Sequence, residues 1–104
     1  MIIRYLPNAL SDLEEALSCF IQRNADAAQR FADAIRAGEQ ATLDFPQKAY
    51  SPGGTLRVHR VTRFPYSLAY LPLEGEILII AVARHKRRPA YWKSRLHNVD
   101  DWHT

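Results

Sequence analysis

The sequence predicts an α+β fold: an N-terminal strand, an antiparallel helical hairpin packed on an antiparallel β-meander sheet, and a short C-terminal helix. Three observations predict it. Apolar residues recur at helical spacing through the first half of the chain and break once, at Asn24-Ala25-Asp26. Three strand-like runs then follow one another with no helical pattern between them. The last run, from Ile77 to Ala83, is apolar at every position, as expected of a strand covered on both faces. With 104 residues, no internal repeat, no low-complexity stretch and no linker, residues 1–104 are expected to form one domain with one core.

Ile2 to Tyr5 is β-branched and aromatic, and reads as a short strand. Pro7 suits the first helical turn, where its missing N–H is harmless. Ala9, Leu13, Ala16, Leu17, Phe20 and Ile21 then mark one face of a helix, with Asp12, Glu15, Gln22 and Arg23 opposite. Asp26, with Gln29 three residues later, has the pattern of a capping box for a second helix. Its apolar face is Ala27, Phe31, Ala34, Ile35 and Ala41 or Thr42, and Gly38 either weakens the helix modestly or lets another helix approach closely. Phe45-Pro46 ends it, because the residue before proline avoids helical geometry. Residues 46–54 read as a loop, with Pro52-Gly53-Gly54 as its turn. From Leu56 to Thr62 the residues alternate: Leu56 and Val58 are expected inward, Arg57 and His59 on a basic outer face. Tyr66 to Leu73 and Ile77 to Ala83 are joined by a tight turn at Glu74-Gly75. Pro89 opens a last helix through Leu96, with Trp92 as its expected anchor.

The net charge of +3 conceals a division. Residues 1–48 carry five Lys/Arg and seven Asp/Glu; residues 49–104 carry nine and four. The stretch from Ala83 to Arg95 alone holds six cations, two large aromatics and no acid. Such asymmetry suits a polyanion or an acidic protein partner. No apolar run is long enough to cross a membrane, and the N-terminus lacks a signal-peptide layout, so a cytoplasmic location is expected. Cys19 is the only cysteine and lies among apolar helix positions, which excludes an internal disulfide. The four histidines have no ligand-spaced partners, and no glycine loop has the context of a phosphate cradle, so neither a metal nor a cofactor is expected.

Several phrases in this order resemble the RelE/ParE superfamily, the toxins of bacterial type II toxin–antitoxin modules. Pro7-Asn8-Ala9 with Asp12-Leu13 resembles the opening of that family's first helix, and the stretch from Asn24 to Phe31 its second. Phe45-Pro46, Leu56-Arg57, Tyr66 to Tyr70 and the stretch from Ile79 to His85 fall where the family ends its second helix and places its later strands. The run from Arg87 to Arg95 is similar to the tail of a plasmid-stabilisation subgroup. The resemblance implies a growth-inhibiting toxin silenced by a cognate antitoxin. It also implies one of two targets, mRNA cut on the ribosome or DNA gyrase.

Metal-independent RNA cleavage through the 2′-hydroxyl needs a base, an acid and charge stabilisation at phosphorus. Arg57, Arg63 and Arg84 are the candidates for phosphate. His59 and His85 are the candidates for proton transfer, and Tyr91 for proton donation or base stacking. Arg60, Lys86, Arg87, Arg88, Lys93 and Arg95 complete a surface for nucleic acid or another target. These regions hold the working residues of the family's nuclease branch, so the expectation leans toward a ribosome-dependent mRNA endonuclease. A gyrase inhibitor and an inactive antitoxin-binding member are the alternatives. One departure stands out. Many nuclease members carry a lysine or carboxylate on or near the second and third strands, whereas residues 55–73 here contain neither.

Overall fold

Both helices form where the apolar period falls. In the computed structural model, which describes residues 1–85 and Arg95, helix α1 spans Pro7–Arg23 and helix α2 spans Ala25–Asp44. A single extended residue, Asn24, separates them. Its backbone N–H bonds Phe20 O to close α1, and its side-chain oxygen accepts the N–H of Ala27 at 2.7 Å to open α2. The cap is thus Asn24 rather than Asp26. The chain reverses within one residue, which leaves Asp26 inside the first turn, ion-paired with Arg30. Phe45 ends α2, as the following proline requires.

Among the described residues the sheet has five strands in the order β1-β5-β4-β3-β2: β1 (Ile2–Tyr5), β2 (Tyr50–Gly53), β3 (Leu56–Arg60), β4 (Tyr66–Leu73) and β5 (Glu76–Arg84). Strands β3, β4 and β5 pair antiparallel in chain order, turning between β4 and β5 at Gly75, whose φ is 76°. Two features extend the expected meander into a mixed sheet. β1 runs parallel to β5, with Tyr5 opposite Ile79. The segment read as a loop contributes β2, paired antiparallel with β3. Its Pro52 is tolerated because β2 lies at the sheet edge, where a missing N–H costs no ladder bond. The expected helix from Pro89 to Leu96 lies outside the described residues, Arg95 apart.

Side-chain alternation fixes the layers. Tyr66, Leu68 and Tyr70 of β4 face the helices; Ser67, Ala69 and Leu71 face away. Residues 77–82 of β5 are all buried, as the continuous apolar run demands. Ile80 is an extra residue in β5, because Ala69 pairs with Ala81 while Tyr70 pairs with Ile79. Beneath the helices, Phe20, Phe31, Phe64 and Tyr66 form one aromatic cluster; Phe31 lies 4.7 Å from Phe20 and 5.2 Å from Phe64 and Tyr66, centroid to centroid.

Candidate functional site

The expected basic outer face of β3 is turned inward. Arg57 and His59 share the face of their cross-strand neighbours Tyr70 and Leu68, which is the helix-facing side. His59 lies under α2 at Gly38, where an added Cβ would come within 3.4 Å of the imidazole and 3.2 Å of Leu68. Gly38 therefore admits the sheet rather than a second helix. Burial pushes the His59 pKa down, favouring the neutral ring. Arg57 donates to Ala49 O at 3.1 Å and to Gln47 Oε1 at 2.8 Å. Tyr70 donates to Pro46 O at 2.8 Å. Together these two side chains bind the segment that leads from α2 into β2. Arg57 is thus committed to holding this connection.

At the other end of the sheet, Arg84 and His85 part company. Arg84 pairs with Tyr66 on the helix side and lines a hollow with Asp12, Glu15 and Cys19. Burial raises the Tyr66 phenol pKa, and the Arg84 charge opposes it. His85 follows on the opposite face, where its Nε2 lies 2.9 Å from Ser67 Oγ and its backbone N–H bonds Pro65 O. Arg60 lies directly across from Ser67 in the β3–β4 register. This face thus gathers Arg60, Ser67 and His85. Ser67 was not among the sequence candidates, because a lone serine in an apolar strand gives no signal of its partner.

Arg95 is held inside the fold. Its Nη1 donates to Asp12 Oδ2 at 2.7 Å and to Ile80 O at 2.9 Å, and its Nη2 reaches Asp12 Oδ1 at 3.2 Å. Asp12 also accepts the Val82 N–H at 3.1 Å. The reason lies in the sheet. β1 ends opposite Ile79, so the rest of that β5 edge has no neighbouring strand among the described residues. Asp12 and Arg95 supply side-chain partners in place of one. The sequence shows Asp12 only as an early helical acid, and its partner lies 83 positions away.

Arg63 occupies the β3–β4 turn in the left-handed region, with φ 71°. It borders a cleft against the N-terminal half of α2 whose lining includes none of Arg57, His59 and His85. Tyr91, Lys86, Arg87, Arg88 and Lys93 lie outside the described residues. Among the described residues, no group of three or more His, Cys, Asp or Glu is placed to hold a metal, and no helix is long and apolar enough to cross a membrane.

The architecture and the sequence agree with one family. The family model for the ParE toxin of the type II toxin–antitoxin system parDE matches residues 3–89. This chain belongs to the ParE toxin family. A solved structure described as the chromosomal ParDE TA system from P. aeruginosa shares the fold, with a TM-score of 0.68 and 19% identity. The alignment covers 81% of this chain and 95% of that one. No curated protein matches in sequence. The matched region of this ParE-family toxin runs from β1 through β5 and therefore includes the hairpin, the sheet and the Asp12, Ser67 and His85 positions.

The half-buried His59 of the toxin gives its stability a defined pH dependence. Its folded pKa lies below the ordinary histidine value of about 6.5. The unfolded chain therefore binds this proton more readily, and the stability contributed by neutral His59 is full above about pH 6.5 and lost as pH falls through the folded pKa. Thermal unfolding between about pH 7.5 and pH 5 should show a steeper acid loss in wild type than in His59→Gln. Parallel profiles would show that His59 does not carry this term.

Proposed function

We propose that this ParE-family toxin acts by binding rather than by catalysis, with DNA gyrase as its target, and that a cognate antitoxin silences it. One observation supports this above the others: the proton-transfer and phosphate candidates among the described residues do not converge. His59 is half-buried against Gly38, Arg57 is spent on the β2 connection, and His85 lies on the opposite face of the sheet. A cleaving site needs acid, base and cation within hydrogen-bond reach of one phosphate. The absence of lysine or carboxylate from residues 55–73 points the same way. For this reason the reading departs from the sequence-level lean toward mRNA cleavage.

A metal-independent endoribonuclease remains the second reading, supported by the Ser67–His85 contact beside Arg60. The two separate cleanly. The purified toxin should inhibit gyrase supercoiling at near-stoichiometric ratios, and arrested cells should retain intact transcripts. No inhibition at stoichiometric excess, together with mapped mRNA cuts that His85→Ala abolishes, would establish the nuclease instead.

A further inference from the structure

Between the N-terminal half of α2 and the β3–β4 turn lies a cleft floored by Ala27, Ala34 and Phe64. Arg30 of α2 stands on one wall and Arg63 of the turn on the other. Arg63 holds a left-handed backbone conformation that a branched or long side chain rarely adopts. Glycine would fit there without strain. No hydrogen bond or ion pair of its side chain to another described residue offsets that strain. Arg30 bonds Asp26 at 3.0 Å, but both side chains are mostly exposed, so the pair is weak and Arg30 can turn to a ligand. Asp33, also in the lining, is already engaged by Gln29 at 3.0 Å and faces Arg36 at 3.9 Å.

We propose that this cleft is a docking site for an acidic segment of the antitoxin: a carboxylate seated between Arg63 and Arg30, with a neighbouring apolar side chain on Phe64. The inference rests on the toxin–antitoxin reading above. Charge complementarity and the floor select this occupant. Guanidinium groups match a carboxylate geometrically, and each such bond is stronger than a neutral one. The apolar floor gives an adjoining aliphatic or aromatic residue a surface to cover, which a sugar–phosphate backbone does not provide. Asp33 at the rim repels a succession of phosphates more than a single carboxylate.

The test uses the full chain and the antitoxin encoded beside it, with affinity and thermal midpoint measured for three variants. Arg63→Gly should raise the midpoint by about 4 °C by relieving the backbone strain, and weaken antitoxin binding about tenfold. Arg30→Gln should weaken binding about fivefold with an unchanged midpoint. Arg36→Gln removes the same charge on the same helix but outside the cleft lining, and should bind as wild type. Binding of Arg63→Gly within about twofold of wild type overturns the proposal while leaving the toxin–antitoxin reading intact. So does an equal loss in Arg36→Gln, which marks generic charge attraction, or a loss of affinity for duplex DNA alone. If wild type itself does not bind the antitoxin, both readings fall together.

Discussion

Replacing Asp12 by alanine is expected to destabilise the fold by about 3–5 kcal/mol, because it removes the buried carboxylate that both nitrogens of the Arg95 guanidinium bind. The two side chains are 9% and 12% exposed, so water does not restore the lost contacts. The same substitution removes the acceptor of the Val82 N–H on the β5 edge beyond the end of β1. Thermal unfolding should show a midpoint lower by about 15 °C or more. Arg95→Met tests the cause. In the Asp12→Ala background it removes the buried guanidinium that has lost this carboxylate, so the double variant should be more stable than Asp12→Ala alone. Additive losses would mean that each side chain serves the edge independently.

That clasp also marks the limit of what the sequence discloses. Local signals carried the helices: the apolar period, Asn24-Ala25-Asp26 and Phe45-Pro46 placed α1 and α2 nearly residue for residue. The unbroken run from Ile77 to Ala83 correctly announced a strand buried on both faces. What failed depends on distant partners. Alternation in β3 separated Arg57 and His59 from Leu56 and Val58, but alternation alone does not say which face receives the helices. Charged and ionisable residues were assigned to solvent, whereas Gly38 makes room for His59 and the Gln47–Ala49 segment takes up Arg57. β2 was hidden because its proline and glycine carry turn signals that an edge strand tolerates. Among the site candidates, the register brings Arg60 and His85 to Ser67, a pairing that exists only once three strands are aligned.

The same dependence on distant partners makes Phe31 the most consequential ring in the core. It is fully buried and touches Phe20 of α1, Phe64 of the β3–β4 turn and Tyr66 of β4, so it joins both helices to the sheet and to the turn that carries Arg63. Phe31→Ala is expected to cost about 3–5 kcal/mol, the sum of lost burial and the cavity left among rings that cannot collapse inward. Urea unfolding should give that loss with an unchanged slope. Edge-on and stacked ring contacts add about 0.5–1.5 kcal/mol each beyond burial. Once Phe31 is gone, part of what Phe64 contributes is already lost. The double variant Phe31→Ala/Phe64→Ala should therefore lose less than the two single losses combined, by about 1 kcal/mol. Strict additivity would separate the turn from the core, and the position of Arg63 would then owe nothing to the cluster beneath it.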